Sequence, residues 1–296
     1  MNFLITGGTG FVGKQFIQTF TSQDHHFYVF TRTPEKYEAT SEITYLSFTH
    51  PSQELPQIDA VINLAGESIF GYWTAKKKER ILSSRLETTK KLLTYVKQLP
   101  KAPSVWINAS AIGFYGTSDE KQFTEKTTEP GDDFLAEVVY QWEETAREAE
   151  KSGIRTVFLR FGIILGHEGS LPIMRLPVKL LAGGKIATGE QWMSWVHIHD
   201  TVQLIMFAIN TSEIAGALNV TAPEPVQNKD FMKLLAKSLK RPYWFPTPGF
   251  AMKTVLGEMS ELVTKGQFVI PQKALDHQYT FAFPQLKEAL DDLASK

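Results

Sequence analysis

Near the start of the chain, Gly7-Gly8-Thr9-Gly10-Phe11-Val12-Gly13 places glycines at a three-residue repeat between an apolar run and a helical pattern. Each glycine of such a turn has a mechanical task. The first ones allow a tight bend and let backbone N–H groups approach a pyrophosphate, and the last lets helix and strand pack closely. A helix beginning there adds partial positive charge for the phosphates. The expected cofactor-binding residues are therefore Gly7, Thr9, Gly10, Phe11, Val12 and Gly13. The next apolar run ends Phe30-Thr31-Arg32, with no acid where a carboxylate would meet a ribose 2′-hydroxyl. An arginine at that point pairs with a 2′-phosphate, so NADP(H) is the expected cofactor.

Other residues carry chemistry with plainer alternatives beside it. Ser110 ends an apolar run near the expected nicotinamide, where its hydroxyl either meets substrate or satisfies turn backbone. Tyr115 lies in Gly113-Phe114-Tyr115-Gly116, where an exposed phenol meets substrate or simply packs, and packing is the stronger reading. Glu137 has a solvated carboxylate as its default. His197, His199 and Asp200 invite a metal reading, since strand alternation would turn both imidazoles to one face. No third ligand cluster accompanies them, so no metal is expected. Trp192 and Trp195, flanking Met193, read as core or pocket wall.

The elements that must position these groups follow from periodicity. Residues 2–6 read as strand, 11–20 as helix and 27–30 as strand, which makes a βαβ unit. Short apolar runs at 60–64, 104–109 and 156–161 read as buried parallel strands. Leu82, Leu86, Leu93 and Val96 recur at helical spacing, as do Leu135, Val138, Trp142, Ala146 and Ala149. The alternation predicts an α/β fold, a Rossmann-type doubly wound parallel sheet with a smaller C-terminal substrate-side lobe. The expected division is 1–166 for the dinucleotide-binding part and 167–296 for the lobe, with some segments returning to the sheet. Two further helical patterns, 230–239 and 283–293, fall in the lobe.

Composition narrows the class. The chain has 296 residues, 43% of them hydrophobic, enough for a large core. Its 31 lysines and arginines face 32 acids, so no global field favours nucleic acid or an anionic membrane. There are no cysteines, which removes disulfides, thiolate metal sites and a cysteine nucleophile, and a cytoplasmic setting is expected. No apolar run reaches the roughly 20 residues of a membrane span. The expected partner is a small-molecule substrate.

These motifs, with Asn63-Leu64-Ala65-Gly66, Ser110 to Gly116, Arg160 to Gly166 and Trp195 to Asp200, resemble the extended short-chain dehydrogenase/reductases over essentially the whole chain. A narrower match, through Gly66-Glu67-Ser68-Ile69, Ser84 to Thr89 and Gly257 to Pro271, is similar to an uncharacterised epimerase-family branch. That resemblance implies cofactor contacts at Thr31, Arg32, Leu64, Ala65, Arg85 and Ile164. Arg85 adjoins the apolar stripe containing Leu86, so it either leans over a cofactor edge or caps that face with solvent. Glu67 begins near the cofactor and, with Ser110 and Tyr115, is a candidate to touch substrate. Active relatives carry Tyr-x-x-x-Lys on one helix face, where the ammonium lowers the phenol pKa for proton exchange. Here the pair is Phe134 and Val138. Two readings stay open: an NADP(H)-dependent oxidoreductase or epimerase-like enzyme on a small polar, sugar-like substrate with an atypical proton donor, or a sensor or scaffold that holds NADP(H) without turnover.

Overall fold

The computed structural model describes residues 1–21 and 23–294, with no side-chain description at positions 251 and 255. The first half alternates strand and helix: β1 (Asn2–Thr6), α1 (Phe11–Phe20), β2 (His26–Phe30), β3 (Ile43–Leu46), β4 (Ala60–Asn63), α2 (Ala75–Val96), β5 (Val105–Ala111), the short β6 (Gln122–Phe123), α3 (Phe134–Arg147) and β7 (Arg155–Phe161). The second half runs β8 (Ile163–Leu165), α4 (Ser170–Lys179), β9 (Trp192–Met193), β10 (Trp195–His197), α5 (Ile198–Asn210), β11 (Gly216–Val220), β12 (Val226–Gln227) and α6 (Asn228–Ser238). It closes with α7 (Gly249–Leu256), α8 (Glu261–Thr264), β13 (Phe268–Val269), α9 (Gln272–Asp276) and α10 (Leu286–Ala294).

Seven strands form one parallel sheet in the order β11-β7-β5-β4-β1-β2-β3. Strand alternation sends Phe3 and Ile5 into a core shared with α1 and α5, and Leu4 into a second core with α2 and α3. Both faces are thus covered, which explains strands that are apolar throughout. The order reverses between β1 and β4, and in sheets of this type ligands bind outside the carboxyl ends of the strands at such a reversal.

The lobe returns to the sheet through β11, while α5 packs under the sheet beside α1. The strand expected across His197 and His199 ends at His197, and His199 stands in the first turn of α5. The alternation argument fails because His197 Nδ1 accepts from the His199 backbone N–H at 3.1 Å and so caps that helix. Helix α5 escapes an amphipathicity search because it is buried on nearly every side.

The glycine turn sets how close these layers come. Gly7 has φ +73°, and a Cβ on it would lie 2.6 Å from the Leu64 carbonyl carbon. A Cβ on Gly13 would stand 2.4 Å from the Gly7 carbonyl oxygen, whereas one on Gly10 would approach no nearer than 3.3 Å. We therefore expect Gly13→Ala to lower stability by about 1–3 kcal/mol through overpacking. A melting midpoint equal to the parent's would show that the turn has room to spare.

Candidate functional site

A cleft of about 860 Å³ opens at the carboxyl end of the sheet. Its floor is the glycine turn, with Gly7, Gly10, Phe11, Val12 and Gly13 all lining it. Gly10 is the N-cap of α1, no side chain caps that terminus, and no acid stands in its first turn. The N–H groups of Phe11, Val12 and Gly13 consequently have no intrahelical acceptor, and the helix dipole favours an anion in front of them. Leu64, whose backbone abuts Gly7, and Arg85 line the cleft too. Thr9, Ala65 and Ile164 adjoin lining residues in the chain without lining the cleft themselves.

Arg85 lies beneath Gly66, whose Cβ, were there one, would be 3.1 Å from its Cζ. Its Nη1 donates to the carbonyls of Ile81 at 2.8 Å and Glu67 at 3.1 Å, and its Cζ sits 5.1 Å from the Trp142 ring centroid. Burial lowers its pKa to about 10, which leaves a cation at neutral pH facing the cleft. Thr31 and Arg32 follow β2 outside the cleft lining, Thr31 donating its N–H to Leu46 at 2.9 Å and Arg32 exposed.

Glu67 is placed otherwise than the substrate reading requires. Its carboxylate accepts from Lys77 Nζ at 2.9 Å and lies 3.7 Å from Arg80 Nε, and it does not line the cleft. The Lys77 hydrogen bond and charge, followed by the fields of Arg80 and Arg32, hold it below the usual carboxylate range. Lys77 and Arg80 thus share one carboxylate, and Arg32, at the end of β2, adds the weakest of the three fields. Lys77 and Arg80 carry no sequence signal of their own, because residues 67–80 meet only through the loop that leads into α2.

The proton-donor candidates turn inward. Ser110 lines the cleft, but its hydroxyl donates to Glu143 Oε1 at 2.5 Å. Arg160 holds the same carboxylate in a fork, Nε to Oε1 and Nη2 to Oε2, both 2.9 Å. Glu143 and Arg160 are 2% and 4% exposed, so each charge depends on the other. Burial works against the Arg160 cation, and Glu143 outweighs it, raising the arginine's pKa. Tyr115 is not exposed. Its hydroxyl donates to Asn219 Oδ1 at 2.7 Å, and burial raises its pKa, so the phenol serves packing.

Phe134 and Val138 both line the cleft from the first turns of α3, whose N-cap Asp133 accepts from Leu135 and Ala136 N–H at 2.9 Å. One group unforeseen from sequence stands beside them: Lys78 Nζ lies 5.0 Å from the Phe134 ring centroid and pairs with Glu258. Residues 258–267 form the outer wall, tied in by Gln267 Nε2 to the Ile112 carbonyl at 3.1 Å. Trp192 and Met193 are pocket wall, whereas Trp195 is fully buried with its Nε1 donating to Glu224. Glu137 is exposed and bonded to Gln141. Asp200 accepts from Ala282 and Phe283 N–H at 2.8 and 2.9 Å, a structural tie. Among the described residues no cluster of three or more His, Cys, Asp or Glu gathers that could hold a metal ion.

A doubly wound parallel sheet with a glycine turn at its switch point defines a Rossmann-type NAD(P)-binding fold. The NAD dependent epimerase/dehydratase family model matches residues 3–221, and a domain of unknown function, DUF1731, matches 247–293. The chain belongs to this epimerase/dehydratase family. It is 45% identical over 297 residues to the epimerase family protein YfhF of Bacillus subtilis, covering 99% of this chain and 98% of that one. It is 40% identical to the Staphylococcus aureus protein SAR0825, with 99% of each chain covered. Among solved structures, human epimerase family protein SDR39U1 with NADPH superposes with a TM-score of 0.90 at 30% identity over the whole of both chains. A nucleoside-diphosphate sugar epimerase from Corynebacterium glutamicum gives 0.79 at 29% identity, over 99% of this chain and 58% of that one.

Replacing Glu143 by Gln strands the Arg160 charge and is expected to destabilise by about 3–5 kcal/mol. Urea unfolding measures it, with Tyr115→Phe as the milder control at about 1–3 kcal/mol for a buried acceptor left unpaired.

Proposed function

We propose that this protein binds NADP(H) and is an oxidoreductase or epimerase-like enzyme that works without the tyrosine acid of its relatives. The observation that carries the cofactor choice is the cationic corner made by Arg32, Lys77 and Arg80 around Glu67, beside a helix N-terminus open to the cleft. One carboxylate cannot neutralise three cations, so a 2′-phosphate there meets net positive charge. The NADPH in the human relative supports the same choice. Gly7, Gly10 and the α1 N–H groups would hold the pyrophosphate, and Arg85 would lie along the cofactor edge. When bound, the nicotinamide supplies or accepts a hydride.

A second reading, a sensor that holds the cofactor without turnover, is favoured by one specific feature. Phe134 and Val138 present only carbon to the cleft, while the Ser110 hydroxyl is committed to Glu143.

Calorimetric titration is expected to give NADPH a clear advantage over NADH. Arg32→Ala should weaken NADPH by about 1.5–3 kcal/mol, the scale of a charge-assisted hydrogen bond, and leave NADH unchanged. Gly10→Val should abolish binding of both with little change in melting temperature, in contrast to Gly13→Ala. Equal affinities in the parent would sink the assignment.

Restoring the missing pair, Phe134→Tyr with Val138→Lys, is expected not to yield turnover of nucleotide sugars. The buried lysine would need a partner charge, Asp133 at the start of α3 is committed to capping that helix, and Ser110 stays bonded to Glu143. Single-turnover reduction of NADP⁺ by a nucleotide-sugar panel checks this, and ready reduction would show the rest of the site intact.

A further inference from the structure

Beyond the glycine turn and Arg85, the charged residues lining the cleft are two lysines and three carboxylates, and each is already engaged. Lys265 pairs with Glu261 at 3.2 Å, Lys78 with Glu258, and Asp133 caps α3. A nucleotide sugar would bring a diphosphate into this region. It would find no spare cation: α3 and α6, which start here, carry Asp133 at the N-cap and Asp230 in the first turn, and α4 starts on the glycine-turn side, with Gly169 against the Phe11 ring. The remaining surface is mainly apolar, with Ile69, Trp73, Phe134, Met174 and Leu262 facing inward. Phe70 and Ile173 line the cleft while being 40% and 55% exposed, so the apolar lining continues to its mouth.

One polar group reaches the corner beside Phe134. The Lys78 ammonium has three N–H donors, and its pairing with Glu258 leaves donors for an acceptor oxygen. The geometry points to a ligand of a different class from nucleotide sugars: an uncharged, largely apolar carbonyl compound whose oxygen accepts from Lys78. The wall at 258–267, within the DUF1731 match, sets that specificity. Glu258 and Glu261 cancel the lysines that would otherwise attract a diphosphate, and Leu262 supplies apolar contact. This inference rests on the cofactor occupying the glycine-turn half of the cleft, as proposed above.

The test uses the full chain saturated with NADP⁺, 2-acetonaphthone as the uncharged ketone and UDP-glucose as the diphosphate, followed by calorimetry and by the fluorescence of Trp73 and Trp192. The ketone is expected to bind and UDP-glucose to give no saturable signal. Lys78→Met should weaken the ketone roughly tenfold, the loss of a charge-assisted hydrogen bond, and Lys78→Arg should recover most of it. Neither should change NADPH affinity. The double variant Glu258→Gln, Glu261→Gln frees both lysines and should gain UDP-glucose binding. Absence of ketone binding, tighter binding of UDP-glucose by the parent, or indifference to Lys78→Met each overturns the inference. Dinucleotide titration of the same protein reports on the cofactor reading alone: failure to bind NADPH overturns that reading, whereas NADPH binding without ketone binding overturns only the ligand class.

Discussion

The buried Glu143 carboxylate decides more of this site than any residue that faces the cleft. It joins α3 to β7 through the Arg160 fork and to β5 through Ser110, so three elements converge on two oxygen atoms. Arg160 in turn lies flat on Phe114, 3.4 Å from its ring centroid, and 4.9 Å from that of Tyr115. The loop after β5 is thereby held against the sheet. Removing both charges for apolar groups of equal volume would cost little in principle, but leaving either alone is expensive. The pair therefore fixes the azimuth of α3, and with it the side of that helix which shows Phe134 and Val138 to the cleft.

That constraint also reaches the hydroxyl groups near the cleft. Ser110 stands at the end of β5. Here its hydroxyl is the shortest contact of an internal network, and the neighbouring phenol, Tyr115, is tied to Asn219, whose own N–H donates to Glu125 at 2.9 Å. The Ser110 and Tyr115 hydroxyls are committed to Glu143 and Asn219, and Phe134 and Val138 present carbon to the cleft. Of the charges that line the cleft, Lys78 and Arg85 come from α2, the helix packed against α3.

The architecture was legible in the sequence wherever a strand is buried on both faces or a helix has one apolar stripe. Residues 2–20 read correctly to the residue, because glycine spacing and apolar runs act locally. The strand β3 and helix α5 were missed for different reasons: Ile43–Leu46 is a short edge strand with little pattern, and 198–210 is buried on nearly every side, with polar Asp200 and Thr201 among its buried residues. In the site, the glycine turn and the four-residue spacing of Phe134 and Val138, which both line the cleft, were visible in the sequence. Lys77, Arg80 and Lys78 were not, since three consecutive lysines at 76–78 look like an ordinary solvated helix start. What distinguishes them is which carboxylate each one meets, Glu67 ten residues back or Glu258 far along the chain, and sequence separation conceals both.

The same point bears on how the two matched regions relate. The family model ends at residue 221 and the second region begins at 247, which suggests two units. Physically they make one site. Strand β13 pairs with β6 in the middle of the first region, Ser194 Oγ donates to the Gln267 carbonyl at 2.8 Å and accepts from Val269 N–H, and Gly71 and Tyr72 reach Met259 and Thr254. A Cβ on Gly266 would lie 2.0 Å from the Trp192 carbonyl oxygen, so that wall is seated at backbone contact. A cleft closed this way has its glycine-turn half fixed by the sheet and its outer half fixed by the C-terminal wall, so residues 258–267 can vary without disturbing the glycine turn.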